Sequence, residues 1–109
     1  MRTIAVVQLD KRRPALILTR HSKLHLLRWV TVAPITSTVR GITSEVPVGP
    51  RNGLDHASVV SCDNIATIPA GAVGHSVGLF FDDQEPELAR AISDAFDLFI
   101  TRPESPSPV

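Results

Sequence analysis

The sequence lacks several features that would narrow its class at once. Its single cysteine, Cys62, cannot form an intramolecular disulfide, and it has no second thiolate to share a cysteine-rich zinc site. No apolar run approaches the ~20 residues of a membrane-spanning helix. The first 13 residues also lack the apolar core of a signal peptide. We therefore expect a cytoplasmic protein that does not enter a membrane.

Common catalytic motifs are missing as well. The chain contains neither a Walker-type phosphate-binding loop nor a GxSxG nucleophile elbow. Its four histidines are scattered, and although His21 and His25 are four residues apart, no acidic residue lies near them in sequence. Surface histidines are the simpler interpretation, and we predict neither a metal site nor a cofactor.

The formal net charge is zero, because 11 basic residues balance 11 acidic ones. Overall charge therefore gives no reason to expect a nucleic acid or a membrane as partner. The charges are nevertheless unevenly distributed. Five cations and no acid lie between Lys11 and Lys23, whereas acids outnumber bases between Asp82 and Glu104. A local basic patch is compatible with this neutral total.

Short apolar segments separated by turns fill the first 80 residues. Segments 3–9 and 14–19 flank a tight polar turn and predict a hairpin. Segment 26–35 predicts a third strand. We interpret its Trp29 as a core residue, with a platform for base stacking as the alternative. Further short strands are predicted at 45–48, 57–62, 64–68 and within 69–80. This spacing indicates a small barrel or a strongly bent sheet.

The C-terminal part changes character. Residues 82–100 predict the one convincing helix, in which Asp82 or Asp83 caps the N-terminus and Pro86 takes an early helical position. We expect its apolar stripe to pack on the sheet, and this stripe comprises Leu88, Ile92, Ala95, Phe96 and Phe99.

The chain length suits one domain, which we place at residues 1–100. Residues 101–109 are rich in proline and serine, a composition that buries too little apolar surface to fold. We therefore predict a disordered tail there.

Two polar stretches stand at strand ends. Arg13 precedes Pro14 at the start of the second strand, and a run of hydroxyl side chains from Thr36 follows the third. If these strands are neighbours, the guanidinium fork and a hydroxyl could meet and stabilise a phosphoryl group without a metal. A solvated turn whose hydroxyl binds local backbone explains the same residues equally well.

Three blocks of the sequence resemble the MazF/PemK family of toxin endoribonucleases. They are "RRPALILTR", "VTVAPITSTVRGITSEVPVG" and "NGLDHASVVSCDNIATIP", in the family's order and spacing, and "EPELARAISDAFDLFI" matches the family's terminal helix. The resemblance covers residues 3–100. It implies a mainly β, SH3-like small barrel with a C-terminal helix, the fold of MazF and CcdB toxins.

The resemblance also implies an activity and partners. Such proteins are homodimeric toxins that cleave single-stranded RNA at short sequence motifs without a metal, leaving a 2′,3′-cyclic phosphate and a 5′-hydroxyl. A cognate MazE-like antitoxin inhibits them by laying an extended acidic segment across the RNA groove.

Site residues follow from the same resemblance. It makes Arg13 and Thr36 the catalytic pair that acts on the scissile phosphate. Because an arginine is a poor base at neutral pH, we assign Arg13 to charge stabilisation and proton delivery and leave the general base open. Asn64 is a candidate reader of a base edge. The other expected RNA contacts are Lys11, Arg12, Arg20, Ser37, Thr38, Arg40 and Asp63, with a solvated face as the alternative for the basic residues.

The sequence departs from the family pattern at its start. It lacks the N-terminal Gly-Asp block of many members, and its first hairpin loop is much shorter, which leaves the cleavage motif open. One rival function is a toxin of the same fold that inhibits a protein such as DNA gyrase through its terminal helix. Another is a non-catalytic SH3-like module that binds RNA without cutting it.

Overall fold

Seven strands and one α-helix form most of the regular structure in residues 1–98, the part of the chain that this computed structural model describes. The strands are β1 Arg2–Gln8, β2 Arg12–Ile17, β3 Trp29–Thr36, β4 Glu45–Val48, β5 Ser58–Ser61, β6 Ala66–Pro69 and β7 Val73–Phe80, and the helix is α1 Glu85–Ala95. Short 3₁₀ turns lie at His21–Leu26, Pro50–Asn52, Cys62–Asn64, Ala70–Ala72 and Asp82–Gln84. The predicted disordered tail lies outside the described residues.

All strand pairs are antiparallel, in the order β4-β5-β3-β2-β1-β7, and β6 pairs with β3 as well. β1 and β2 form the predicted hairpin, with Gln8 opposite Arg12, so the connecting turn comprises only residues 9–11. The β1–β7 ladder shifts register on either side of Ala5. Such irregularities bend a strand, and the sheet curls into a half-barrel.

Apolar side chains alternate along the strands and form one core on each face of the sheet. On the first face, Ile4, Leu16 and Phe80 pack beneath α1, which contributes Leu88 and Ala91. The second core comprises Ala5, Val7, Ala15, Ile17, Val30, Val32 and Ile68. This period of two is what a sheet covered on both faces requires. The prediction of a mainly β fold with a C-terminal helix is confirmed.

The start of the helix differs from the prediction in its capping. Asp82 accepts a hydrogen bond from the N-terminal ammonium at 2.7 Å, and Asp83 accepts one from the Arg51 guanidinium at 2.6 Å. Neither side chain therefore caps α1, because each carboxylate is held by a cation. Pro86 is the second residue of α1, as predicted.

The end of the helix comes earlier than predicted. α1 stops at Ala95, and Asp97 adopts a left-handed conformation with φ +53°. Phe96 is consequently 54% exposed and does not extend the packed stripe, whereas Leu88, Ile92 and Ala95 do pack on the core. The predicted stripe residue Phe99 lies outside the described residues. Within residues 1–98, no helix is long and apolar enough to cross a membrane.

The interpretation of Trp29 as a core residue is wrong. Its side chain is 58% exposed, and it follows a 3₁₀ turn where a longer strand was expected. The register pairs Trp29 with Pro69 at the last rung of the β3–β6 ladder. The side chain therefore lies outside the second core, whose first residue on β3 is the buried Val30.

Asn52 ties the turn before β5 to the sheet and the helix. It is 2% exposed, its Oδ1 accepts the Gly49 N–H at 3.1 Å, and its Nδ2 donates to the carbonyl of Leu79 at 2.9 Å and to Gln84 Oε1 at 2.8 Å. The next residue, Gly53, has φ +93°, and a Cβ there would lie 2.4 Å from a carbonyl oxygen of β7. The Asn52-Gly53 turn is thus a tight crossing of two chain segments.

Candidate active site

β2 and β3 bring Arg13 and Thr36 side by side. The two strands are antiparallel neighbours, with Ala15 opposite Pro34 and Leu16 opposite Ala33. Continuing this register by two residues sets Arg13 opposite Thr36. Directly opposite residues of an antiparallel pair project to the same face of a sheet. The two residues that the sequence predicts as catalytic therefore lie together at one end of the second face.

Arg13 is held without satisfying all of its donors. Its side chain is 25% exposed, and its Nη2 donates to Asp10 Oδ2 at 3.1 Å. Its Nε is buried and has no hydrogen-bond partner within residues 1–98. A buried unpaired donor is costly, and here the donor belongs to a permanent cation. The Nε is therefore a donor that a ligand could satisfy.

The Thr36 hydroxyl is oriented by its own loop. Thr36 Oγ1 accepts a hydrogen bond from the backbone N–H of Thr38 at 3.1 Å. A hydroxyl has one proton and two acceptor lone pairs, so this bond leaves the Thr36 proton available to donate. The sequence analysis gave a turn in which a hydroxyl binds local backbone as the alternative to a phosphoryl site. That turn is present, and it still leaves the Thr36 hydroxyl proton free to act on a ligand.

Two clefts meet at this pair, since Arg13 and Thr36 line both. The first cleft, of about 430 Å³, also contains Thr38, Arg40, Glu45 and Asn64 among its lining residues. The second cleft, of about 380 Å³, also contains Lys11, Ser37 and His56. Arg13 and Thr36 thus form a rim between two concave surfaces. An extended ligand that crosses the rim would touch both groups.

Glu45 is a cleft residue that sequence reasoning missed. It is only 8% exposed, and its carboxylate accepts hydrogen bonds from the backbone N–H groups of Arg40, Gly41 and Ile42. The sequence signal was an acidic residue at the start of an apolar strand, "EVPV", which ordinarily indicates a solvated end. Only the loop folded against it explains the burial.

Asn64 also lines the first cleft. Its Nδ2 donates to Ser61 Oγ at 2.8 Å, and both residues line this cleft. The neighbouring Asp63 lines neither cleft formed by residues 1–98, and its Oδ2 accepts a hydrogen bond from Ser44 Oγ at 2.5 Å. The structure therefore brings Asn64 to the site and holds Asp63 away from it.

The predicted basic contacts divide in the same way. Arg40 lines the first cleft and Lys11 the second. Arg12 is exposed and lies beside Gly74 of β7, adjacent to the clefts but not in their walls. Arg20 lines a separate surface cleft with Met1, Arg2 and Glu85. It follows the far end of β2, and the extended segment from Arg13 to Ile17 alone spans ~13 Å.

Charge pairing separates the basic residues into two groups. Of the 11 lysines and arginines, seven lie between residues 11 and 44, a stretch that contains no aspartate or glutamate. Outside that stretch, three arginines form ion pairs with carboxylates, namely Arg2 with Glu85, Arg51 with Asp83 and Arg90 with Asp94. Within it, Arg13 is the one cation with a carboxylate partner among those whose side chains the structure describes, a set that leaves out Lys23. The unpaired cations are available to an anionic ligand.

Cys62 is close to the site in sequence but carries no chemistry there. The thiol is fully buried in the core beneath α1, and burial, with a smaller effect of Asp63, raises its pKa to about 11. A thiol with so high a pKa is a poor nucleophile and a poor metal ligand at neutral pH. Among the side chains that the structure describes, which do not include His21, no group of three or more His, Cys, Asp or Glu residues could hold a metal ion.

Known proteins are similar to this chain in sequence and in fold. The sequence-family model of the PemK-like, MazF-like toxins of type II toxin–antitoxin systems matches residues 5–96. Endoribonuclease MazF3 of Mycobacterium tuberculosis is 57% identical over 98 residues, which cover 90% of this chain and 95% of that protein.

Solved structures give the same result. The M. tuberculosis toxin MazF-mt6 has a TM-score of 0.89 at 56% identity, over 91% of this chain and 100% of that one. An endoribonuclease solved in complex with its cognate antitoxin, from a mycobacterial species, has the same fold, with a TM-score of 0.78 at 23% identity, over 91% of this chain and 95% of that one. The predicted SH3-like toxin fold is confirmed, and the chain belongs to the PemK-like, MazF-like toxins of type II toxin–antitoxin systems.

Proposed function

We propose that this toxin endoribonuclease cleaves single-stranded RNA in the cytoplasm by attack of a ribose 2′-hydroxyl on the adjacent phosphorus, without a metal ion. The observation that carries the proposal is the common rim of the two clefts, where Arg13 and Thr36 stand together. An RNA strand that crosses the rim would present one phosphodiester to both side chains.

The reaction requires stabilisation of charge on phosphorus. A bond forms between the 2′-oxygen and phosphorus, the bond to the 5′-oxygen breaks, the 2′-hydroxyl loses its proton and the 5′-oxygen gains one. The products are a 2′,3′-cyclic phosphate and a 5′-hydroxyl. The dianionic phosphorane between them needs donors that are already aimed at it.

Arg13 supplies charge at that point. Its unpaired Nε and the Nη2 group now bound to the exposed Asp10 can both turn to phosphate oxygens, in the two-pronged geometry that guanidinium groups favour. An anionic phosphate oxygen that reached the Nε would give this donor a partner.

Thr36 supplies an uncharged hydrogen-bond donor to the same phosphoryl group. Because its oxygen accepts the Thr38 N–H, its proton remains available to donate to the substrate. Asn64 and Arg40 on the first cleft, and Lys11 on the second, would contact the flanking nucleotides. Unpaired bases expose the edges that an amide such as Asn64 can read.

Two protein partners belong to the proposal. We expect the toxin to act as a homodimer and to be inhibited by a cognate antitoxin. The acid-free stretch of residues 11–44, with its unpaired cations, supports an antitoxin segment that is extended and acidic.

The test is cleavage of a mixed RNA by purified protein in the presence of a chelator. We expect cuts that end in 2′,3′-cyclic phosphate, and Arg13→Ala and Thr36→Ala should each reduce the cleavage rate by about 100-fold or more, as removal of an oxyanion donor does. Arg51→Ala is the matched control. Like Arg13, Arg51 is paired with a carboxylate, but it lines a different cleft.

Three results would contradict the proposal. If both site variants cut RNA at the parent rate, the site assignment is wrong. If the protein cuts no RNA but inhibits DNA gyrase, the rival toxin function holds. If it binds RNA, cuts none and does not arrest growth, the non-catalytic module is correct.

A further inference from the structure

The loop between β3 and β4 carries cleft residues on an exposed segment. Residues 37–43 are all exposed, yet Thr38 and Arg40 both line the first cleft. A loop so exposed has no apolar anchor of its own. Its shape, and with it the position of Arg40, must therefore come from hydrogen bonds.

Glu45 provides most of those bonds. Its Oε1 accepts the backbone N–H of Arg40 at 3.2 Å, of Gly41 at 2.9 Å and of Ile42 at 3.4 Å, and its Oε2 accepts the Arg40 N–H at 3.3 Å. Three successive amides thus converge on one carboxylate, as they do around a bound anion. Gly41 permits this through its left-handed backbone, with φ +73°.

Burial makes this arrangement sensitive to the charge on Glu45. The residue is 8% exposed, and its own N–H donates to the carbonyl of Ile42 at 3.1 Å, which closes the loop. A buried carboxylate requires its hydrogen bonds, and charge-assisted bonds are stronger than neutral ones. The loop and the carboxylate therefore stabilise each other.

We infer that Glu45 is a positioning residue of the ribonuclease site, which acts on RNA only through Arg40. The carboxylate sets the backbone from which the Arg40 side chain projects into the first cleft, and Arg40 in turn contacts an RNA phosphate beside the scissile one. This inference rests on the proposed function. It assigns a functional role to a residue whose charge is opposite to that of an RNA-binding group.

A double-mutant cycle tests this role. Glu45→Gln keeps the size of the side chain but removes its charge and replaces one acceptor with an NH₂ group. We expect kcat/KM for a short RNA to fall by about 10-fold or more, mainly through KM, because the change removes charge-assisted hydrogen bonds that position a binding group. In an Arg40→Ala background, the same substitution should change kcat/KM by less than about twofold.

Two further variants keep the cycle interpretable. Gly41→Ala perturbs the loop without touching Glu45, because only the left-handed backbone is strained and a Cβ there meets no atom within 4 Å among residues 1–98. If the shape of the loop determines activity, Gly41→Ala should lower kcat/KM in the parent and have little effect in the Arg40→Ala background. Glu87→Gln, an exposed carboxylate of α1 that lines a different cleft, should leave kcat/KM unchanged.

The outcomes are distinct. An undiminished effect of Glu45→Gln in the Arg40→Ala background would overturn the inference, as would no effect in the parent. If Glu45→Gln does not fold, Gly41→Ala decides the question by the same criterion. If the parent cuts no RNA, the proposed function fails instead. The affinity for the same RNA with a 2′-deoxy scissile residue then gives the coupling between Glu45 and Arg40.

Discussion

At the scale of single residues, the site depends on groups that the fold leaves short of partners. Arg13 is placed by the register of β2 and has an Nε without a partner in residues 1–98, and the Thr36 hydroxyl keeps its proton free. Glu45 is the opposite case, since its carboxylate accepts four hydrogen bonds. Reactive and supporting groups can be told apart by this contrast alone.

Cys62 gives a prediction at this scale. Its pKa of about 11 means that the folded protein should react with iodoacetamide at pH 8 about 100-fold more slowly than the unfolded chain. The raised pKa also favours the neutral thiol in the folded state. The resulting stabilisation is complete below the unfolded pKa, near 8.5, and is lost as pH rises toward about 11.

Alkylation rates and urea unfolding at pH 7.5 and 10.5 measure both effects, with Cys62→Ala as the reference for the pH dependence. Equal reaction rates for folded and unfolded protein would contradict the burial of the thiol.

At the scale of elements, the turn at Asn52 matters more for stability than the aromatic residue that opens β3. Asn52→Ala would leave the buried Gly49 N–H without its partner and would remove the Asn52 hydrogen bonds to the Leu79 carbonyl and to Gln84. We expect a loss of about 3 kcal/mol in the free energy of unfolding, since each unsatisfied buried group costs about 1–3 kcal/mol. Urea unfolding with an unchanged m-value measures it.

Trp29→Ala is the comparison for that prediction. Because Trp29 is 58% exposed, its truncation should cost less than about 1 kcal/mol, as surface substitutions do. The reverse order of the two losses would show that Trp29 packs in the core after all.

The elements also show how far the sequence could be interpreted alone. Alternation of apolar residues was sufficient to predict the strands, and the neighbouring ends of β2 and β3 were sufficient to bring Arg13 near Thr36. Three features could not be found this way. Arg20 is close to Arg13 in sequence, but a strand carries it to the other end of the sheet, and Trp29 is apolar but stands beyond the last packed rung. Glu45 is buried because the loop of residues 37–43 folds onto it, and no pattern in the sequence of that loop predicts this fold.

At the scale of the whole molecule, the division of charge predicts a response to salt. Seven cations lie in an acid-free stretch, and most of them have no carboxylate partner within residues 1–98. If about three of them contact phosphates, the logarithm of RNA affinity should fall with the logarithm of salt concentration with a slope of about −2, since each contact on single-stranded RNA contributes about −0.7.

Titration of a labelled 2′-deoxy-blocked RNA at 50–300 mM salt, about the range in which such slopes are measured, checks this. Arg40→Ala should make the slope shallower by about 0.7, whereas Arg51→Ala should leave it unchanged, because Arg51 is paired with Asp83. A slope near zero for the parent would mean that phosphate contacts do not contribute to binding.

The three-residue turn between β1 and β2 has a consequence for inhibition. Residues 9–11 are too few to arch over the first cleft, although Leu9 and Asp10 belong to its wall. This turn therefore forms no flap that an inhibitor could displace or hold closed. An inhibitor that acts at this turn must therefore occupy the cleft itself, in direct competition with the substrate.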